Sequence, residues 1–256
     1  MSNEPIHIIS LGAGVQSSTM ALMGAAGEIT PMPVAAIFAD TGDEPVETYK
    51  FIELLRDLLP FPLHVCSRNG HALSDQLFEW GQSQIPAFMV GGKIGKRQCT
   101  KHWKVIPIQK ECRRVTGNTR KRLPSGFFAL WVGISTDEIT RMKDSRVDWI
   151  THRWPLVEKR MSRRDCLVWL QQHGYPVPPK SACVYCPYHA MHQWRQLKIV
   201  GGPDWAKVLR VSAMLAERGE FLTPKCEPLD KLDLSTEEER GQLDLFGNEC
   251  EGMCGV

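Results

Sequence analysis

The sequence lacks any apolar run near the length of about eighteen residues that a membrane-spanning helix needs. Residues 1–4 lack the basic and apolar stretches of a secretory signal, so we expect a cytoplasmic protein that binds no membrane. A large charge of one sign is also missing, because the net charge is only +2. Hydrophobic residues make up 43% and charged residues 23% of the chain, which is ordinary for a globular protein and excludes fibrous or disordered classes.

The basic residues are unevenly placed despite the small net charge. They form two clusters, Arg113, Arg114, Arg120, Lys121 and Arg122, and Lys159, Arg160, Arg163 and Arg164. Such clusters are more typical of a solvated enzyme surface than of a polyanion track. The sequence therefore neither establishes nor excludes a nucleic-acid partner, and it does not indicate an oligomeric state.

Apolar runs and helical spacings alternate along the first third of the chain. Residues 6–10, 33–38 and 61–66 have the pattern of buried strands, and residues 17–26 and 45–59 have helical spacing. A further strand is predicted at 127–134. This alternation predicts an α/β fold with a doubly wound, mostly parallel sheet and helices on both of its faces.

A loop of small residues, Gly12 to Ser18, joins the first predicted strand to the first predicted helix. Backbone N–H groups at such a position form an anion site, and glycine lets a phosphate approach the backbone. A lone glycine-rich turn is weak evidence, since tight packing between strand and helix explains it equally well.

Three segments together resemble the PP-loop superfamily, whose signature after the first strand is Ser-Gly-Gly-x-Asp-Ser. The loop from Gly12 to Ser17 matches it in position, and Asp40-Thr41-Gly42 and Glu47-Thr48 follow on the next unit, as in the phosphoadenylyl-sulfate reductases. Gln16 stands where ATP-cleaving members carry aspartate, whereas the reductases accept glutamine there. The resemblance implies a Rossmann-like fold and an adenine-nucleotide site made by Ser10, Gly12, Ala13, Gly14, Gln16, Ser17, Ser18, Asp40, Thr41, Gly42, Gly133, Asp137 and Glu138.

Two further stretches are similar to reductase-like PP-loop proteins. One is Arg97-Gln98-Cys99-Thr100 with Lys104, and the other is Gly133-Ile134-Ser135 with Asp137-Glu138, in which Ser135 replaces an arginine. Four cations in or near these stretches are candidates to hold a sulfate or phosphate, with surface solubility as the alternative for each. They are Arg97, Lys104, Arg141 and Lys143.

The nine cysteines are an odd number and are not expected to form disulfides in a reducing compartment. Cys183 and Cys186 have the spacing of metal ligands, and Cys99 is a third candidate. We favour a 4Fe-4S cluster over a zinc site, which His189 or His192 would complete. The remaining cysteines before the tail, Cys66, Cys112, Cys166 and Cys226, are predicted to be small core residues.

The C-terminal tail carries Cys250 and Cys254. It loosely resembles the Glu-Cys-Gly tail with which phosphoadenylyl-sulfate reductases attack the sulfate sulfur, and the resemblance implies that these two cysteines are catalytic. Glu251 stands where the family has glycine. A redox disulfide between the two cysteines and a role as a cluster ligand stay open.

These signals predict three parts of the chain. Residues 1–160 form a nucleotide-binding α/β domain, residues 161–229 form a helical region with the Cys-x-x-Cys pair, and residues 230–256 form a linker and a flexible cysteine-rich tail.

Three functions fit this organisation. The first is a reductase-like enzyme of sulfur metabolism that uses phosphoadenylyl sulfate or adenylyl sulfate and a thiol reductant such as thioredoxin. The second is a sulfur transferase that adenylates a nucleic acid or nucleotide with ATP and Mg²⁺ and then thiolates it. The third is a nucleotide or redox sensor without catalysis, with structural zinc.

Overall fold

The structure is a computed structural model that describes residues 4–79, 81 and 83–235. The chain divides into two compact units. The first combines the chain up to Ala72 with Thr100–Ser181, and the second combines Leu73–Cys99 with the chain from Ala182 onward.

The elements are numbered in chain order. The strands are β1 (Ile6–Leu11), β2 (Ala35–Asp40), β3 (Leu63–Ser67), β4 (Phe88–Met89), β5 (Lys93–Ile94), β6 (Phe128–Val132), β7 (Ile150–Arg153) and β8 (Glu220–Phe221). The helices are α1 (Val15–Ala25), α2 (Val46–Leu58), α3 (Ile106–Val115), α4 (Pro155–Glu158), α5 (Arg163–Gln172), α6 (Met191–Val200) and α7 (Gly202–Ala216). A π-helical turn, Thr100–Val105, leads into α3, and Thr136–Arg141 forms 3₁₀ turns after β6.

The first unit contains a five-stranded sheet in the order β3-β2-β1-β6-β7. Every neighbouring pair in it is parallel. The chain winds outward from β1 through β2 to β3 and then returns to the other side of β1 for β6 and β7. The boundary between β1 and β6 is therefore the topological switch point, where open α/β sheets place their ligands.

Helices cover both faces of this sheet because both faces are apolar. Ile9 and Phe38 pack with α1, α2 and α5 on one face. Ile8, Ile37 and Ile108 pack on the other face, which α3 covers. Each fully buried side chain of this size contributes about 1.5–3 kcal/mol relative to an exposed one. The predicted doubly wound parallel fold is confirmed.

Local sequence explains two of the helices well. In α2 the buried residues Thr48, Phe51, Ile52 and Leu55 follow the spacing of one helical face. Helix α5 begins at the predicted N-cap, where the Ser162 side chain accepts from the Asp165 N–H and Asp165 accepts in return. A cap of this kind stabilises a helix by about 1 kcal/mol.

The second unit contains a small antiparallel sheet in the order β5-β4-β8 together with α6 and α7. Phe88 of β4 lies opposite Ile94 on one side and Phe221 on the other. These strands were not predicted, because each has only two residues and because the pairing of β4 with β8 across more than a hundred positions leaves no local pattern.

The two units differ from the predicted division at residues 160 and 229. Helix α5 lies in the first unit, and residues 73–99 join the C-terminal helices rather than the parallel sheet. Most of the predicted linker and tail lies outside the described residues. In the part of the chain that the structure covers, no helix is both long and apolar enough to span a membrane.

Candidate functional site

Three segments follow strands that end at the same edge of the parallel sheet. They are the loop after β1, the turn after β2 and the segment after β6, and all belong to the first unit. Because β1 lies between β2 and β6, its loop is the central one of the three. The predicted nucleotide-site residues are distributed over these segments.

The loop after β1 is held closed by the side chain of Ser17. The Gly12 N–H donates to Ser17 Oγ at 3.1 Å, and Ser17 Oγ donates to the Gly14 carbonyl at 3.3 Å. Gly14 is the N-cap of α1 and supplies no side-chain cap. The N–H groups of the first helical turn have no acceptor inside the helix. They offer donors, reinforced by the helix dipole, to an anion above the loop.

Two residues show how tightly this loop is built. Ala13 is buried and has a φ of +57°, in the left-handed region that L residues with a Cβ seldom adopt. A Cβ added to Gly133 would lie 2.7 Å from the Ser17 Cα and 2.8 Å from the Ser17 nitrogen. The segment after β6 thus touches the loop after β1 backbone to backbone, which glycine alone permits.

Gln16 joins the loop to the segment after β6. Its Nε2 donates to Glu138 Oε2 at 3.2 Å and faces Ser135 Oγ at 3.4 Å. Glu138 also forms an ion pair with Arg141. Because the glutamine amide is neutral and already donates to a carboxylate, it does not provide the anionic oxygen that a divalent cation prefers.

The turn after β2 is organised by Asp40. Its Oδ1 accepts from the Gly42 N–H at 2.7 Å and from the Tyr49 hydroxyl at 2.9 Å. Burial, followed by the Asp40 charge, raises the pKa of Tyr49, so the phenol stays protonated. Gly42 has a φ of +73°, and a Cβ there would lie 2.7 Å from Ala72. Asp40 and Gly42 therefore shape this turn, while Thr41 is buried within it.

Two carboxylates that the sequence reasoning passed over follow this turn, Asp43 and Glu44, and both are buried. Lys104 Nζ lies 3.0 Å from Glu44 Oε1, and Ser181 Oγ lies 3.5 Å from Glu44 Oε2. Their position directly after Asp40-Thr41-Gly42 is the sequence signal from which these two acids could have been identified. The ion pair draws the π-helical turn at 100–105 to this edge of the sheet.

The other predicted residues take varied positions. Asp137 accepts from the Arg163 N–H at 3.1 Å and so holds the start of α5. Ser18 is fully buried, and its Oγ has no partner among the described residues, so it does not face a ligand arriving from solvent. Ser10 is the half-buried penultimate residue of β1.

The four predicted anion-binding cations have different surroundings. Lys104 and Arg141 each pair with a carboxylate, Glu44 and Glu138. Arg97 lies in the second unit, with its guanidinium 5.3 Å from the Tyr188 ring centroid. The exposed Lys143 lies after the 3₁₀ turns, and its carbonyl accepts from His152 Nδ1 at 2.7 Å.

The candidate metal ligands Cys99, Cys183 and Cys186 all belong to the second unit. A tight turn joins the pair, because the Cys186 N–H donates to the Cys183 carbonyl at 2.9 Å. His189 Nε2 faces that same carbonyl at 3.0 Å, so this nitrogen is directed at an oxygen rather than at a metal position. Over residues 4–79, 81 and 83–235, no three His, Cys, Asp or Glu side chains are grouped as metal ligands. The three-cysteine metal site therefore stays a prediction.

Burial separates the cysteines by reactivity. It raises the pKa of the Cys66, Cys112 and Cys166 thiols to about 12, so these remain protonated at neutral pH, as expected of core residues. Cys226 is instead half-buried in a turn with a φ of +54°. The predicted catalytic residues Cys250 and Cys254 lie outside the described residues.

The fold and this edge define a class of protein, namely an open, doubly wound α/β protein with a small-residue loop and an uncapped helix N-terminus at the switch point. The sequence matches no family model and no curated protein.

Solved structures do match the chain. One is a phosphoadenylyl-sulfate (PAPS) reductase from Candida auris in its phosphate complex, with a TM-score of 0.49, 15% identity and coverage of 68% of this chain and 76% of that chain. Another is the U34-tRNA thiolase NcsA from Methanococcus maripaludis with its 4Fe-4S cluster, with a TM-score of 0.44, 12% identity and coverage of 96% and 77%.

Proposed function

We propose that this chain is a reductase-like enzyme of sulfur metabolism that binds an adenine nucleotide at the loop after β1. The observation that carries the proposal is the loop itself, with its uncapped α1 N-terminus at the switch point and its contact with Gly133. Donors of this kind suit the phosphate and sulfonate groups of adenylyl sulfate or phosphoadenylyl sulfate.

Gln16 favours adenylyl sulfate or phosphoadenylyl sulfate over ATP as the substrate. An ATP-cleaving site holds Mg²⁺ through oxygen anions, and the Gln16 side chain is a neutral amide that donates to Glu138. An adenylated sulfate needs no metal-assisted cleavage of a polyphosphate. Its binding requires mainly hydrogen-bond donors, which the first turn of α1 supplies.

The proposed chemistry uses a cysteine thiolate. The thiolate of Cys250 attacks the sulfonate sulfur, the bond from sulfur to the phosphate oxygen breaks, and the nucleotide leaves with that electron pair. One thiolate of a dithiol reductant then attacks the Cys250 sulfur, displaces sulfite and forms a mixed disulfide. The second thiol of the reductant breaks this disulfide, which frees the Cys250 thiolate and leaves the reductant as a disulfide. The high pKa values of Cys66, Cys112 and Cys166 leave these core thiols out of this role.

Cysteine variants test this chemistry with sulfite release as the measurement. The full chain is incubated with phosphoadenylyl sulfate, or with adenylyl sulfate, and reduced thioredoxin. Cys250→Ser should stop sulfite release, whereas the matched control Cys226→Ser, at a half-buried turn, should keep it. Full turnover by Cys250→Ser would rule out the tail nucleophile.

Nucleotide binding is tested separately by calorimetry. Gly14→Val should weaken binding of the nucleotide, because the added side chain occupies the approach to the N-terminal donors of α1. Unchanged affinity in this variant would move the site elsewhere.

Metal content is a separate part of the proposal. Cys99, Cys183 and Cys186 would supply the thiolates for a 4Fe-4S cluster, which contributes electron transfer or a binding site for sulfur when bound. An anaerobic preparation should be brown with absorbance near ~400 nm, and Cys183→Ser should lose this colour while Cys226→Ser keeps it. A colourless protein that contains zinc would replace the cluster with a structural site.

The ATP-dependent sulfur transferase is the second candidate. The basic stretch around Arg113 and Arg122 favours it, because such a stretch suits a nucleic-acid acceptor. Release of pyrophosphate from ATP in the presence of Mg²⁺, without release of sulfite from an adenylated sulfate, would establish this candidate in place of the first.

A further inference from the structure

An open pocket of about 550 Å³ lies at the amino ends of β6 and β7. Its lining includes Arg113 from the last turn of α3, Arg122 from the segment before β6, and Arg146 and Trp149 from the segment before β7. Because the strands are parallel, this is the edge of the sheet opposite to the loop after β1. The volume is in the range that holds a ligand the size of one nucleotide.

The pocket has a strong local excess of positive charge. Three arginines line it, and Asp148 is the only acidic residue in its lining. Residues 110–125 carry six basic residues and one acidic residue, although the net charge of the whole chain is +2. The acidic residue, Glu111, is already bound by Arg114, whose Nε donates to it at 2.7 Å. The surplus charge therefore faces solvent and attracts a polyanion.

Two of the arginines are available for such a partner. Arg122 and Arg146 are exposed. Neither side chain has a hydrogen bond or an ion pair with another residue in the described part of the chain. Guanidinium groups of this kind suit phosphate oxygens, which they bind with two parallel hydrogen bonds.

The third arginine is fixed beside an aromatic ring. The Arg113 guanidinium carbon lies 4.4 Å from the centroid of the Trp149 indole, and Arg113 Nη1 donates to the Lys121 carbonyl at 2.9 Å. Trp149 is itself held by an edge contact with Phe128 at 5.8 Å between centroids. Guanidinium planes and aromatic rings are the surfaces on which unpaired bases stack.

We propose that this pocket binds single-stranded nucleic acid, with Arg122 and Arg146 on its phosphates and the Arg113–Trp149 pair beneath a base. Backbone phosphates account for the cationic rim, and an unpaired base accounts for the flat surface next to it. The site is separate from the loop after β1, and it does not depend on which sulfur reaction that loop serves.

The test is fluorescence anisotropy of the full chain with a short labelled single strand of mixed sequence, as RNA and as DNA, over a series of salt concentrations. The variant is Arg122→Ala with Arg146→Ala. The matched control is Lys50→Ala with Arg56→Ala, which removes the same charge from the exposed side of α2. Thermal unfolding confirms that both variants are folded.

Each phosphate contact on a single strand contributes about 0.7 to the slope of log K against log salt. The pocket variant should therefore lose about 1.4 from this slope and roughly 25-fold in affinity at 0.1 M salt, and the control should lose little. An abasic strand of equal length should bind roughly fivefold or more weakly than the strand with bases.

Equal affinity and equal slope in the wild type and the pocket variant would overturn the proposal. An equal loss in the control would also overturn it, because the effect would then come from net charge alone. AMP binding as tight as that of the strand, and lost in the pocket variant, would replace the nucleic acid with a mononucleotide as the ligand of this pocket.

Discussion

Gly133→Ala perturbs the contact between the segment after β6 and the loop after β1. The new Cβ would lie 2.7 Å from the Ser17 Cα, 2.8 Å from its nitrogen and 2.9 Å from its Cβ. Two of these atoms are backbone atoms at the start of α1, so no side-chain rotation relieves the clash. Overfilling a packed region costs about 1–3 kcal/mol, and we expect about 3 kcal/mol here. For a chain of this size that lowers the thermal midpoint by roughly 6–12 °C.

The same displacement should also weaken nucleotide binding. Moving the start of α1 away from β6 misaligns the N–H donors that the proposed site uses. The assays are thermal unfolding followed by circular dichroism and calorimetric titration with phosphoadenylyl sulfate, both on the full chain.

Gly14→Ala is the matched control for stability. Its Cβ would meet only the Ser181 Cβ, at an ordinary 3.8 Å, and the φ of Gly14 is −96°. A loss of less than about 1 kcal/mol, from the poorer N-cap, is expected. If Gly133→Ala melts at the same temperature as the wild type, Gly133 and the start of α1 do not lie in this close backbone contact.

Three further predictions concern charges in the first unit. Gln16→Glu places a second carboxylate beside Glu138, to which Gln16 Nε2 donates at 3.2 Å in the wild type. The thermal midpoint of this variant should drop at pH 7.5 and recover toward pH 5, because one carboxyl then takes up a proton. A difference from the wild type that does not change with pH would contradict this. Lys104→Met leaves the buried Glu44 charge without its ion pair and should lower the free energy of unfolding in urea by about 2 kcal/mol, a reduced value because Lys104 is partly exposed. Adding Glu44→Gln should restore most of this free energy, and no restoration would exclude the ion pair as the cause. His7 accepts from the fully buried Trp131 indole at 2.8 Å, and burial, followed by the Arg153 charge, lowers the pKa of His7 below 6.5. The unfolded chain then binds the proton more readily than the folded chain does. The free energy of unfolding should therefore keep its full His7 contribution above pH 6.5 and decrease as the pH falls below this value, and in a His7→Gln variant it should decrease less.

The elements around the loop could be predicted from the sequence because their signals are local. The apolar run of β1, the small residues after it and the helical spacing of α2 each occupy neighbouring positions, and so does the capping box of α5. Parallel order followed from the alternation of strands and helices. The helix and the strand at Ile106–Val115 and Ile150–Arg153 were missed, since glycines and charged residues interrupt the pattern around them.

The contacts that shape the candidate site could not be predicted in this way. Gln16 meets Glu138 across 122 positions, and Lys104 meets Glu44 across 60. The sequence identified Lys104 as a cation for an anion, but in the fold it pairs with a buried carboxylate. The packing of separate loops determines which anionic group a flexible lysine pairs with.

The cysteines show the same limit of local reasoning. Spacing alone singled out Cys183 and Cys186 as metal ligands; a turn joins them in the fold, and the metal site stays a prediction. Apolar surroundings correctly placed Cys112 and Cys166 in the core, whereas the prediction was wrong for Cys226, because Pro224 and the residues beside it form an exposed turn.

We propose that backbone amides of the loop after β1 bind an adenine nucleotide. Amide chemical shifts of the isotope-labelled full chain, measured during titration with phosphoadenylyl sulfate, test it most directly. The largest changes should fall on the N–H groups of residues 12–17, with smaller ones at Ser135 and Glu138. Changes concentrated elsewhere, for instance around Arg113 and Trp149 at the opposite edge of the sheet, with none at residues 12–17, would contradict it.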